Sequence, residues 1–216
     1  MFMLSAAVSE RDRRAIQESF RSVSTDPRFV DLSNDPDFVL DLRYACDDNF
    51  MGKNVYGDVT SCFLHKEAAV LLRAAAARLD SLRKGVRFLL FDGLRPGSAQ
   101  NVLWAHVVGT PEQKYVADPA KGSIHSYGLA VDLSLVDTDG NEMDMGTIFD
   151  HFDELAEPRH EDALFKAGRL TQEQIDNRHL LRQAMLDSGF RMIPHEWWHF
   201  DAFPPDEVRK NFQIVP

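Results

Sequence analysis

No run of about 18 consecutive apolar residues occurs in this 216-residue chain, so no segment reads as a bilayer-spanning helix. Only two cysteines are present, Cys46 and Cys62, too few for a disulfide scaffold. They read as two thiols of a cytoplasmic protein or, alternatively, as one disulfide of a periplasmic one. Positive charge is also scarce: 24 Lys and Arg stand against 34 Asp and Glu, a net charge of −10, and no stretch is strongly basic. That balance argues against nucleic acid or an anionic membrane as partner and leaves a small or zwitterionic substrate open. The opening "MFMLSAAVSERDRR" has no basic residue ahead of its apolar patch, which makes it a poor signal peptide. The expected compartment is the cytoplasm, with the periplasm as the alternative if a leader has been removed. No internal repeat or low-complexity linker appears. With 44% hydrophobic residues the chain can build one substantial core and is short for two, so residues 1–216 are expected to form one domain.

What is present is a mixture of helical and strand patterns without βαβ regularity. Ser9 to Arg21 reads as a short polar helix. "HKEAAVLLRAAAARLDSLRKG" is a strong helix, rich in Ala and Leu, with basic residues in its last turn and a stop at Gly85. "VRFLLFDG" is a buried strand, "GSAQNVLWAHVV" a helix after Pro96, and "GLAVDLSLVD" a strand that "TDGNEMD" turns into a hairpin. Thr171 and Gln174 form a capping box ahead of "IDNRHLLRQAMLDSG", and "FRMI" and "WWHFDAF" read as closing strands. The expected class is α+β, an antiparallel sheet with helices packed around it.

The stretch "SIHSYGLAVDLSL" carries the first chemical signal. Leu129, Val131, Leu133 and Leu135 share one strand face and Ala130, Asp132 and Ser134 the other, so a carboxylate stands between small neighbours opposite the core-packing face. His125 lies seven residues earlier, roughly 23 Å if extended. The two side chains can bind one metal only if the chain doubles back, and Gly128 permits that reversal. The competing reading is a loop histidine followed by an edge-strand aspartate.

"PHEWWHF" carries the second signal. His195, Glu196 and His199 spell H-E-x-x-H, which on a helix would present two imidazoles and a catalytic glutamate. Pro194 before it and Pro204–Pro205 after it leave little room for a helix, and the paired tryptophans favour a strand. No third ligand follows at the usual helical offset. We therefore read His199 as the ligand, Glu196 as the base and His195 as incidental. In a strand Glu196 and His199 point to opposite faces, so a turn or bulge between them is expected if both serve one site.

Other reactive side chains carry less. Cys46 sits beside Asp47 and Asp48, the wrong charge for a thiolate, and Cys62 reads as packed near a helix start. His65, His106, His151, His160 and His179 show no paired spacing and read as surface or structural. The Trp197–Trp198 pair reads as core.

Together, "SIHSYGLAVDL" and "EWWHF" resemble the zinc D-alanyl-D-alanine dipeptidases of the vancomycin-resistance type. That family belongs to a wider group of D-Ala-D-Ala metallopeptidases, whose zinc-site fold is shared with lysostaphin-like enzymes and hedgehog signalling domains. "DLRYACDDNFMGKNVYG", "FDGLRPGSAQ" and "DMGTIFD" extend the resemblance in order along residues 39 to 203; His195 and the stretch from Glu157 to Leu170 depart from it. The resemblance implies one zinc per chain, held by His125, Asp132 and His199, with zinc-bound water as nucleophile and Glu196 as general base. It implies that Arg95 stabilises the transition state and that Ser123, Tyr44 and Asp150 hold the termini of a small D,D-dipeptide. On the residues alone, Arg95 reads as a surface turn arginine and Asp150 as a helix N-terminal acid. Two rivals remain: a D,D- or L,D-carboxypeptidase acting on longer peptidoglycan stem peptides, and a non-catalytic zinc-binding module. Glu196 and Arg95 argue against the second. The sequence carries no sign of oligomeric state.

Overall fold

A computed structural model describes residues 8–216. The chain opens with α1 (Glu10–Val23), capped by the Ser9 side chain, which accepts from the Asp12 N–H. Strands β1 (Phe29–Asp31), β2 (Phe38–Leu40) and β3 (Phe63–His65) lead into α2 (Lys66–Leu82). Along α2, Ala68, Leu72, Ala75 and Leu79 are buried at the three- and four-residue spacing of one helical face. This helix ends at Leu82, so Arg83 and Lys84 lie just past the last turn in which they were expected.

Next come β4 (Arg87–Asp92), α3 (Gly97–Val107), β5 (Ala130–Val136), the short α4 (Glu161–Lys166) and α5 (Gln172–Asp187). The capping box expected at α5 is present: Thr171 accepts from the Gln174 N–H, and Gln174 reaches back to the Thr171 N–H. Strands β6 (Arg191–Ile193) and β7 (Glu196–Asp201) and helix α6 (Pro205–Asn211) close the chain.

Five strands form the main sheet in the order β2-β4-β5-β7-β6. Its pairs are antiparallel, as expected, except at the edge, where β2 runs parallel to β4. β1 and β3 form a separate antiparallel pair. The "TDGNEMD" segment does turn back on β5, but it makes one bridge, Val136 to Glu142, rather than a second strand. Helix α2 packs against α5 and β4, and α1 packs against α3. The resulting architecture is the α+β class expected from the sequence.

β5 is the middle strand of the sheet, so the edge-strand reading of Asp132 does not hold. Both faces of β5 are buried, the Asp132 face included. Cys46 and Cys62 are free thiols. Cys62 is packed as expected, and burial pushes its thiol pKa well above the ordinary range, which leaves it protonated and inert. His65 is structural: it accepts from the Glu67 N–H at the start of α2 and lies edge-on to Phe29 and Phe212.

Candidate active site

Sheet register assembles the site. Asp132 on β5 lies directly opposite His199 on β7, and Asp92 on β4 lies directly opposite Asp132 on its other side. Cross-strand neighbours stand about 4.5–5.5 Å apart at Cβ, so a row of three polar side chains crosses the middle of the sheet. His125 enters from outside the row. It sits in a 3-10 turn, Ile124–Tyr127, which Gly128 ends in the left-handed conformation, φ 67°. Gly128 N–H donates to His125 O (2.9 Å), closing the fold-back that the sequence required. A Cβ at Gly128 would stand 2.9 Å from both the His65 nitrogen and Phe29 Cε1, so the position also demands the missing side chain.

The three candidate ligand side chains meet. His125 Nε2 is 3.1 Å from His199 Nδ1 and 3.3 Å from Asp132 Oδ1, and His199 Nδ1 is 3.0 Å from that same oxygen. Their partners on the far side fix which ring nitrogens carry protons. His125 Nδ1 donates to the Gly93 carbonyl (2.7 Å), and His199 Nε2 donates to the Asp201 carboxylate (2.9 Å). With both imidazoles neutral, two nitrogen lone pairs and a carboxylate oxygen face one another with no proton between them. Three electron pairs converging within 4.8 Å repel unless a cation lies among them, so the donor set fits a metal ion. In the absence of such an ion a proton takes that role. Burial opposes a charged His199, yet the carboxylates of Asp201 and Asp132 outweigh it and raise its pKa well above the ordinary range. Asp132 likewise resists the upward push of burial, because the two histidines hold it well below the usual carboxylate range.

Glu196 and His199 line the same cavity. The expected bulge is there: Ile193 on β6 faces Glu196 while Met192 faces Phe200, so one step on β6 spans four on β7. The segment is a strand and not a zincin helix. Burial raises the Glu196 carboxyl to about 8. His195 also reaches the cavity wall, half exposed, with Nε2 4.0 Å from Glu196, but it is not part of the three-ligand group.

Arg95 is not a surface turn residue: it is 8% exposed. Its Nε donates to Asp92 (2.7 Å), Nη1 to Gln100 (3.2 Å) and Nη2 to Asp132 (3.1 Å), and its guanidinium lies 4.8 Å over the Tyr44 ring. Tyr44 donates to the Asp150 carboxylate (3.0 Å), which also accepts from the Phe50 N–H (3.3 Å). Asp150 is not at a helix start; Asp153 caps the 3-10 turn that follows. Among the described residues Asp150 is the one non-glycine with positive φ, 59°. Burial raises its carboxyl to about 7. Ser123 is buried and lines the same cavity, whose volume is about 190 Å³.

Sequence reasoning missed Asp92 and Asp201. Asp92 is buried at 1% and also accepts from the Tyr56 hydroxyl (2.8 Å). A signal for Asp201 existed: two residues after His199 in a strand, it must share that face. Asp92, the one acid closing the apolar run of β4, gave a weaker signal.

Polar groups on the middle strands of a sheet, converging on one small buried cavity with a glutamate and a guanidinium at its wall, define the class as a hydrolase of the peptidase kind. The chain belongs to the D-ala-D-ala dipeptidase family, peptidase family M15, whose family model matches residues 26–214. It is 39% identical to a D-alanyl-D-alanine dipeptidase of Escherichia coli (strain K12) over 166 residues, 77% of this chain and 79% of the relative. It is 34% identical to the D-alanyl-D-alanine dipeptidase of Enterococcus faecalis (strain ATCC 700802 / V583), over 81% of this chain and 91% of the relative. A third, from Enterococcus faecium, is 32% identical over 74% of this chain and 83% of the relative. Among the described residues no helix is long and apolar enough to cross a membrane.

Proposed function

We propose that this protein is a zinc dipeptidase that hydrolyses D-Ala-D-Ala to two molecules of D-Ala. The observation that carries the reading is the convergence of His125 Nε2, His199 Nδ1 and Asp132 Oδ1 beside Glu196 on one cavity. Two imidazoles and one carboxylate suit zinc and leave a coordination position for chemistry. The relatives' names support the substrate, and so does the size of the cavity: about 190 Å³ is below the roughly 300–1,000 Å³ of pockets for drug-sized ligands.

His125, Asp132 and His199 would hold the zinc, which would supply Lewis acidity toward the scissile carbonyl and the attacking water. Glu196 takes a proton from the attacking water and hands it to the departing amide nitrogen, and a carboxyl poised near neutrality suits both halves of that task. Arg95 is held rigid by Asp92 and Gln100, so its guanidinium meets the negative charge developing on the carbonyl oxygen without reorganising. It also braces Asp132 through Oδ2 and leaves Oδ1 to the metal side. Tyr44 stays protonated, since burial raises its pKa, and orients Asp150, whose carboxylate receives the substrate ammonium. Ser123 donates to the substrate carboxylate. Two anchors one dipeptide apart exclude a third residue, because extension at either end leaves an anchor unpaired at about 1–3 kcal/mol or more. Both cysteines are free thiols, which suits the cytoplasm as the compartment.

The test compares kcat/KM of the zinc-loaded protein on D-Ala-D-Ala, L-Ala-L-Ala, N-acetyl-D-Ala-D-Ala and a stem pentapeptide ending in D-Ala-D-Ala. D-Ala-D-Ala is expected to lead the N-acetylated dipeptide and the pentapeptide by about tenfold or more, the factor that one lost anchor of about 1.4 kcal/mol supplies, and to lead L-Ala-L-Ala, which keeps both termini but presents its methyl groups with the opposite hand. Comparable rates on the pentapeptide would replace the dipeptidase with a carboxypeptidase, and no turnover of any substrate would leave a binding module.

A further inference from the structure

The loop from Met145 to Leu155 carries Asp150 at its centre, in a left-handed backbone conformation, φ 59°, that non-glycine residues adopt uncommonly. Such a conformation persists only where the surroundings over-determine the chain. One side chain ties both ends of this loop. Arg178 of α5, whose side chain is fully buried, donates from Nε to the Met145 carbonyl (2.6 Å) and from Nη2 to the Leu155 carbonyl (2.9 Å). Those carbonyls lie five residues before and five residues after Asp150, so one planar guanidinium sets the span across which the loop must arch. Its Nη1 reaches Glu161 (3.3 Å), and its guanidinium lies 5.8 Å over the ring of Trp197, the residue next to Glu196. Trp197 in turn donates from Nε1 to Thr147 of the same loop (2.7 Å).

We propose that Arg178 is a positioning residue for substrate recognition: by bracketing the 145–155 loop it holds Asp150 in its left-handed turn, facing the cavity, and thereby sets the preference for a free amino terminus. The inference rests on the reading of Asp150 as the acceptor of the substrate ammonium. Arg178 does not touch the three metal-ligand candidates or Glu196, so its effect falls on binding rather than on the proton transfers.

A guanidinium is needed because it alone presents divergent, coplanar donors at fixed spacing. A lysine ammonium at the same place is a point donor and reaches one carbonyl at a time. Removing the arginine does not strand Glu161, which keeps a two-oxygen pairing with Arg182 Nη2 (2.7 Å to each). The buried Arg178–Glu161 pair is therefore not required to neutralise that carboxylate, and what the guanidinium supplies beyond it is the pair of carbonyl contacts that bracket the loop.

The experiment measures Arg178→Lys, Arg178→Met, Asn177→Ala and Asp150→Ala with free and N-acetylated D-Ala-D-Ala, together with metal content and thermal stability. Asn177 serves as control, because it ties α5 to Asp144 outside the bracketed span (2.9 Å to the carbonyl). In folded Arg178 variants we expect full metal content, kcat within about threefold of the parent, KM for the free dipeptide raised tenfold or more, and the free-to-acetylated ratio of kcat/KM reduced tenfold or more. Asn177→Ala should leave that ratio unchanged. An unchanged ratio in Asp150→Ala would remove the premise, by showing that another group receives the ammonium. A reduced ratio there with an unchanged ratio in the Arg178 variants would overturn the proposal alone. Failure of both Arg178 variants to fold would also overturn it, since Arg178 would then serve the fold and not recognition.

Discussion

At Glu196, burial and function pull in one direction. The side chain is 10% exposed, and burial lifts its carboxyl to about 8, where it exchanges a proton readily near neutral pH. Replacing it with glutamine keeps the shape and removes the proton acceptor. We expect Glu196→Gln to retain metal and stability and to lose about 10²–10⁴ in kcat, checked by steady-state kinetics beside elemental analysis. The two histidines should separate in the opposite way. His125→Ala and His199→Ala each remove one of three converging donors and should lose most of the bound metal on dialysis. His195→Ala should keep it, because His195 stands outside the group; metal loss there would revive the H-E-x-x-H reading.

Two local irregularities turn regular elements into a site. The β7 bulge lets Glu196 and His199 share a cavity that a regular strand would split between two faces. The Gly128 turn brings His125 back over β5. A single methyl group tests the turn: Gly128→Ala forces a left-handed alanine whose Cβ meets the backbone nitrogen of His65 at 2.9 Å. We expect a loss of about 2–4 kcal/mol in urea unfolding, from strain and overpacking together, and weaker metal binding in whatever protein still folds. A variant as stable as its parent would mean that the turn tolerates a side chain.

At the scale of the whole molecule, the site stores buried charge, and pH reads it out. Glu196 titrates near 4.5 when unfolded and near 8 when folded without metal, and Asp150 goes from 3.8 to about 7. Between those values the unfolded chain has released protons that the folded chain still holds, so stability falls as pH rises. Below about pH 4 the contribution is complete; it is lost progressively up to about pH 8. Each group costs on the order of 4–5 kcal/mol once fully ionised, from about 1.36 kcal/mol per pKa unit. Metal-free protein should therefore lose stability from pH 5 to pH 8 in urea unfolding, and Glu196→Gln should flatten the slope. Zinc should reverse the trend, since its ligands bind deprotonated, and should add about 2.7 kcal/mol at a hundredfold excess over Kd. A metal-free protein whose stability is flat from pH 5 to 8 would contradict the buried-carboxyl account.

Much of this was legible in the chain, because the signals were local. The 3.6-residue pattern of α2, the capping box at Thr171, the strand around Asp132, the reversal at Gly128 and the bulge required between Glu196 and His199 all follow from spacing and from the backbone freedom of single residues. The ligand candidates were readable because metal chemistry narrows the residue types that can serve. Tertiary structure alone decided the rest. The register that sets Asp92, Asp132 and His199 in one row depends on pairing between strands 40 and 67 residues apart, which no local pattern encodes. The same holds for the burial of Arg95 among carboxylates supplied by two strands, for the central place of β5, and for the cover over the Asp132 face, which alternation alone would leave open. A sequence specifies which side chains can do the chemistry; which of them meet is settled by the long-range packing of the sheet, where burial also sets the charges they carry.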